Sequence, residues 1–224
     1  MGPQPVNGKL LPAFFIIACL IPFSFGSYRL FEIIVTGSFS LELAPDHVDR
    51  IPLFLHVLGA LGFLVIGAMQ ILPGLRYRHP SWHRRAGRLA APLGLIGALA
   101  GLWMTLLHPE ISSALLYWGR LGASAFWILA IGLGIYAINR RDFKSHGTWM
   151  IRAYAIALPA GTLAFVLLPF VLILGEEGHE VLLDAIQVLA WPIHLAVAEW
   201  LIQCKLNRPR TPVIPIPLLS QIGA

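Results

Sequence analysis

Six long runs of apolar residues constrain this chain more than any other feature of its sequence. A helix needs about 20 mostly apolar residues to cross the hydrocarbon core of a bilayer, which is about 30 Å thick. The 224-residue chain is 57% hydrophobic and only 12% charged, about half the charged fraction of a soluble domain. The sequence therefore predicts an all-α, polytopic transmembrane helix bundle with six spans, at residues 10–27, 52–72, 89–107, 114–138, 149–174 and 181–203.

The basic residues predict how the bundle is oriented. Cytoplasmic loops of membrane proteins carry an excess of Lys and Arg. Thirteen of the sixteen basic residues fall at the termini or in and beside the connections between spans two and three and between spans four and five. Both termini are therefore predicted to be cytoplasmic, with residues 1–206 forming one transmembrane domain and residues 207–224 a Pro-rich cytoplasmic tail. A lipoprotein signal ending at Cys19 is an alternative interpretation of the first run, and it would leave five spans.

The same features exclude several classes of protein. Disordered chains combine low hydrophobicity with high net charge, the opposite of this chain. The net charge of +5 comes from short loops between apolar runs, which does not indicate a nucleic-acid-binding face. Two cysteines, Cys19 and Cys204, cannot form a disulfide framework, and no CxxCH haem-attachment motif occurs. No phosphate-binding loop or dinucleotide fingerprint is present either, so the sequence predicts no particular enzymatic reaction.

Glycines inside the runs predict where helices approach closely. Gly97 and Gly101 form a GxxxG pattern in the third run, while Gly59, Gly62 and Gly67 occupy the second. In lipid such small residues allow two backbones to pack without a hydrophobic driving force.

Histidines near the ends of the spans are the candidate cofactor ligands. An ionisable residue in a membrane is costly and is a functional hypothesis by default. A b-type haem needs two neutral imidazoles on different helices at one depth. His56 and His108 are predicted to share the outer depth, and His83 and His146 the inner boundary; these four are the predicted cofactor-binding and metal-binding histidines. The competing interpretation is that boundary histidines bond helix ends or headgroups.

Three arginines complete the set of candidate cofactor-binding residues. Arg84 and Arg88 in the first basic loop, and Arg152 after the second, are suited to pair with haem propionates. Basic loops of this kind also bind anionic lipid headgroups or quinone oxygens. Glu199, in the sixth run, is expected to form a structural ion pair with Arg152 or Arg88; the alternatives are that it extends toward the cytoplasm or transfers protons.

A set of polar motifs runs through the second to sixth spans: His56-x-x-Gly59, Gln70, Arg76, His83-Arg84-x-x-Gly87-Arg88 and His146-x-x-Trp149-Met150-x-Arg152. In this set the chain resembles the DUF2306 family of predicted bacterial membrane proteins, over about residues 52–203. It departs from the family at Gly147, where members often carry another arginine. The resemblance implies a multi-pass protein of the bacterial plasma (inner) membrane, and its four-helix, histidine-bearing core is similar in outline to cytochrome b561-type bundles.

Three functions remain open from the sequence. The first is a haem b- or quinone-binding electron-transfer bundle that uses the candidate histidines and arginines. The second is a non-catalytic structural or assembly subunit, packed through its Gly-rich faces on other membrane protein subunits. The third, a small-solute transporter, is disfavoured because only His194 and Glu199 are polar deep in the bundle. In all three cases the protein is embedded in, and contacts, the lipid bilayer.

Overall fold

The secondary structure of the described residues consists of helices, without strands. The computed structural model describes residues 50–71, 73–109, 113–175 and 177–206, together with residues 23, 24, 26–28, 30, 31, 34 and 35. The helices are α1 (Arg50–Ile71), α2 (Pro73–Arg78), α3 (Pro80–Leu107), α4 (Ala114–Asn139), α5 (Phe143–Ala157), α6 (Pro159–Leu174) and α7 (Glu180–Leu206).

Five helical segments in these ranges are long and apolar enough to cross a membrane. They are Arg50–Ile71, Pro80–Leu107, Ala114–Asn139, Phe143–Leu174 and Glu180–Cys204. They correspond to the second to sixth predicted spans, so the all-helical prediction is confirmed. The predicted first span at residues 10–27 lies mostly outside the described residues, as does the predicted tail at residues 207–224. The count of six spans and the orientation of the termini stay predictions.

Two helices begin well before the apolar runs that predicted them. α3 begins at Pro80, where proline is favoured at the first helical position because its fixed φ suits the helix. α5 begins at Phe143, since the Asp142 carboxylate caps the helix by accepting a hydrogen bond of 3.0 Å from the Ser145 backbone N–H. His83 and His146 therefore lie on helices, where the sequence predicted loops.

The fifth span is divided into two helices at a proline. Pro159 has no backbone N–H to continue the hydrogen-bond ladder, and α5 ends at Ala157. The Leu158 N–H still donates to the Tyr154 carbonyl over 3.0 Å, so α6 continues from α5 as one span.

A direct backbone contact joins α1 to α3 through glycine. A Cβ atom placed on Gly59 would lie 2.5 Å from the Gly97 nitrogen and 2.6 Å from the Leu93 oxygen. The two backbones therefore touch directly, as the glycine pattern predicted. Gly101, one turn beyond Gly97, faces the His56 ring, with a Cβ distance of 3.0 Å to Nδ1.

Aromatic side chains fill the centre of the bundle formed by α1, α3, α4 and α5. Phe63 is only 1% exposed and meets Trp127 edge to face, with ring centroids 5.5 Å apart. Tyr154 donates its hydroxyl hydrogen to the Leu64 carbonyl over 3.1 Å. This core fixes α1, α4 and α5 against one another, and so positions the arginine-rich end of the bundle, where α1 ends and α3 and α5 begin.

Candidate functional site

Three polar side chains from three helices lie at the arginine-rich end and form what we call the inner cluster: Gln70 of α1, His83 of α3 and His146 of α5. Gln70 reaches α3 one turn after His83, because a Cβ on Gly87 would be 3.5 Å from the Gln70 Oε1 atom. Residues four apart on a helix share a face, so Gln70 and His83 face the same space.

Two polar atoms of the inner cluster are buried without a hydrogen-bond partner. They are the Gln70 Nε2 amide nitrogen and the His83 Nδ1 nitrogen. A buried donor without a partner costs about 1–3 kcal/mol, and each such atom in a folded protein calls for a physical explanation. An acceptor-bearing ligand would satisfy both groups, which makes this end of the bundle the candidate site.

His146 is held in one orientation by the backbone of α4. Its Nδ1 lies 2.9 Å from the Gly134 carbonyl oxygen, and a carbonyl only accepts, so Nδ1 donates. The lone pair of the neutral ring is then on Nε2, the arrangement usual for a histidine that ligates a metal. His83 lies within electrostatic range of His146, and also of Arg76 and Arg84. The structure thus brings the predicted inner pair of histidines into one neighbourhood.

The predicted arginines have different surroundings. Arg84 and Arg88 of α3 are exposed. Arg152 instead pairs with Glu199 of α7: its Nε and Nη2 donate to the two carboxylate oxygens, the second over 3.0 Å. The Arg152 guanidinium also lies 4.6 Å from the centre of the Trp149 ring. The expected ion pair of Glu199 is confirmed, and it engages Arg152 in joining α5 to α7.

His56 lies in a second polar region, nearer the opposite end of the bundle. Its Nδ1 donates to the Gly97 carbonyl over 2.8 Å, and the ring packs on Gly101. His108, at the end of α3, is seven residues beyond Gly101, a rise of about 10 Å. The structure therefore does not set His56 and His108 at one level along α3.

Sequence reasoning missed the residues that do surround His56. Arg120 of α4 lies within electrostatic range of His56 and of Asp184 on α7, and Ser124 lies 3.6 Å from the Cβ position on Gly101. Arg120 is a charged residue inside an otherwise apolar run. That position could have marked it as a candidate site residue, but the prediction used it only to orient the bundle.

His194 is bonded on both sides by neighbouring helix atoms. Its Nδ1 lies 2.7 Å from the Ala190 carbonyl oxygen and donates to it, and its Nε2 lies 2.9 Å from the Thr162 hydroxyl. In the neutral ring Nε2 accepts from Thr162, so both nitrogens serve the packing of α6 on α7. Both ring nitrogens of His194 therefore have hydrogen-bond partners, which indicates a structural role.

No group of three or more metal-binding side chains occurs among the described residues. A haem held by two histidines does not require one. An open cavity of about 430 Å³ lies between the end of α4 and the start of α5, and its lining does not include His146; the lining residues are Leu133, Tyr136, Ala137, Arg140, Asp142, Ser145 and Trp149.

A family model described as "Predicted membrane protein (DUF2306)" matches residues 53–202. The chain belongs to the DUF2306 family. The match runs from the start of α1 to the end of α7 and contains the inner cluster, so this membership and the five apolar helices identify an integral, multi-pass membrane protein. No curated protein and no solved structure matches the chain.

Proposed function

We propose that this membrane protein binds haem b at the arginine-rich end and carries electrons, with His83 and His146 as the two iron ligands. The observation that carries the proposal is the pair of buried, unpartnered atoms, His83 Nδ1 and Gln70 Nε2, beside a histidine whose Nε2 lone pair is fixed by its backbone bond. A ligating histidine usually donates its other ring N–H to a carbonyl, a carboxylate or water, so if His83 ligates through Nε2, its Nδ1–H would need such an acceptor.

The charge around the cluster suits an anionic group. Arg76 and Arg84 lie within electrostatic range of His83, and no acidic residue occurs between residues 51 and 109. Guanidinium groups pair with carboxylates through short, charge-assisted hydrogen bonds. Bound haem would supply one-electron chemistry, while the chain's own residues would hold, orient and charge-balance it. We propose no second haem at His56, because His108, its predicted partner, lies at a different level along α3.

A quinone is a second candidate for the same cluster. The Gln70 amide and the His83 ring both offer an unused nitrogen, and a quinone carbonyl accepts hydrogen bonds from such donors. The two ligands differ in their spectra, because a quinone shows no Soret or α band and is recovered by organic extraction.

The test is a dithionite-reduced minus air-oxidised spectrum of detergent-purified protein expressed with added haem. We expect Soret and α bands in the wild type, and their loss in both His83→Ala and His146→Ala. His79→Ala is the matched control, because His79 is exposed, lies one turn before His83 and makes no capping bond with its side chain. Size-exclusion profiles show whether each variant is folded.

Each alternative gives a different result. Bands that persist in both His83→Ala and His146→Ala would reject these ligands. A featureless wild-type spectrum with quinone in the extract would favour the second candidate. A featureless spectrum with an empty extract, from protein that co-purifies with other membrane subunits, would favour a structural or assembly subunit.

A further inference from the structure

Five arginines of α2 and the first turns of α3 form one exposed surface, which we call the arginine surface: Arg76, Arg78, Arg84, Arg85 and Arg88. All five side chains are exposed. No acidic residue lies between residues 51 and 109 of the chain. Within the described residues none of the five forms an ion pair, and the hydrogen bond of Arg76 goes to its neighbour Tyr77. The surface is therefore a concentration of positive charge without internal compensation.

The length of α3 sets this surface at the level of lipid headgroups. The helix has 28 residues, which rise about 42 Å, against a hydrocarbon core of about 30 Å. Its uninterrupted apolar run starts at Leu89 and continues to Leu107. With that run in the hydrocarbon, the turns from Pro80 to Arg88 extend through the headgroup layer.

Aromatic residues support the same position for α2. Tyr77 is 74% exposed, and the Arg76 guanidinium lies 4.9 Å from the centre of its ring. Trp82 is half-buried on the adjoining turn of α3. Tyrosine and tryptophan are enriched at the membrane–water interface, where one side of the ring is apolar and the other is wet.

We propose that the arginine surface binds the phosphate groups of anionic phospholipids in the leaflet that it faces. A guanidinium matches a phosphate through two parallel hydrogen bonds, and a cluster of four or more basic residues beside a span is typical of anionic lipid recognition. Arg76 and Arg84 of this surface also lie within electrostatic range of His83, so the test of this inference uses Arg78 and Arg85, which the haem proposal does not use.

A second basic segment at the same end serves as a matched control. Arg140 and Arg141 also follow a span, but the Arg140 guanidinium lies over the Tyr136 ring at 5.1 Å. Asp142 comes directly after them and carries a negative charge. Removing two positive charges there changes the net charge as much as removing two from the arginine surface, but leaves that surface intact.

The experiment counts lipids bound to the full-length protein by native mass spectrometry in a neutral detergent. Phosphatidylglycerol is titrated against the wild type, Arg78→Gln/Arg85→Gln and Arg140→Gln/Arg141→Gln. Each basic residue near a membrane surface contributes about 1 kcal/mol of attraction, so we expect the first double variant to bind phosphatidylglycerol about 30-fold more weakly. The control pair should bind it as the wild type does, and phosphatidylcholine should bind weakly to all three.

Three outcomes would overturn the proposal. Equal losses in both double variants would mean that net charge, and not this surface, attracts the lipid. Binding of phosphatidylcholine as tight as that of phosphatidylglycerol would mean that the surface does not distinguish lipids by headgroup charge. Competition by inorganic phosphate at the concentration of the lipid would mean that the surface is a site for a free anion. Arg78 and Arg85 are outside the haem proposal, so an unchanged haem spectrum in their variant separates the two proposals.

Discussion

The substitution Gly59→Ala tests the backbone contact that organises the bundle. The new methyl group would meet the Gly97 nitrogen at 2.5 Å and the Leu93 oxygen at 2.6 Å, whereas ordinary contacts begin at 3.4 Å. Both neighbours are backbone atoms of α3, so no side chain can rotate away. The helices must separate by nearly 1 Å, and the hydrogen bond from His56 to Gly97 is then stretched.

The expected cost follows from these contacts. Overpacking a well-packed interior costs about 1–3 kcal/mol, and the weakened hydrogen bond about 1 kcal/mol more. The better helix propensity of alanine returns up to about 1 kcal/mol. The net loss of about 2 kcal/mol corresponds to a fall in Tm of about 6 °C for a chain of this size.

The assay is thermal unfolding of purified protein in one detergent, followed by intrinsic fluorescence. Gly132→Ala is the matched control, because a Cβ there meets nothing within 4 Å, and its Tm should stay equal or rise. Equal Tm values for Gly59→Ala and the wild type would refute the direct contact of α1 with α3.

Three further predictions concern single contacts. Replacing Arg152 and Glu199 by glutamine, singly and together, should reveal a coupling of about 1 kcal/mol in a double-mutant cycle of unfolding, a modest value because both side chains are partly exposed. Tyr154→Phe should lower the unfolding free energy by about 1 kcal/mol, since it removes one buried hydrogen bond to the Leu64 carbonyl, which keeps its bond within α1. Hydrogen bonds from the side chain and backbone of Ser145 lower the pKa of Asp142, so its capping contribution is full above the unfolded pKa of about 3.9 and is lost as the pH falls through the lower folded value; Asp142→Asn should remove that part of the acid sensitivity.

Each of these predictions has a result that would contradict it. Additive effects of the two glutamine substitutions would mean that the ion pair contributes nothing. An effect of Tyr154→Phe no larger than that of Tyr136→Phe, at an exposed position, would deny the buried hydrogen bond. For Asp142→Asn, a pH profile of Tm identical to the wild type between pH 5 and pH 2 would show that protonation of Asp142 does not change the stability of the protein.

The sequence predicted the spans well because a bilayer imposes a simple requirement on length and apolarity. It placed the starts of α3 and α5 too late, since an apolar run marks only the part of a helix inside the hydrocarbon. Pro80 and Asp142 start their helices outside it, in segments rich in arginine and lysine. Those residues are good helix formers whose charges do not interrupt the backbone ladder.

The meeting of side chains was harder to predict than their depth. His56 and His108 were assigned one depth by counting from the ends of separate runs. The register between α1 and α3 is fixed by the contact of Gly59 with Gly97, which sets His56 beside Gly97. The sequence of one apolar run does not show how its helix is aligned along a neighbouring helix. Gln70 joined the site for the same reason: only its contact near Gly87 shows that it shares a face with His83.

The most direct test of the central claim, one haem site at the arginine-rich end, is the ratio of haem b to polypeptide. It is measured on wild-type protein by pyridine haemochrome absorbance and quantitative amino-acid analysis, after expression with added haem. We predict one haem per chain, because among the described residues His83 and His146 form the histidine pair that lies beside the buried, unpartnered amide nitrogen of Gln70. A ratio of zero would contradict haem binding, and a ratio of two would contradict the exclusion of a haem beside His56.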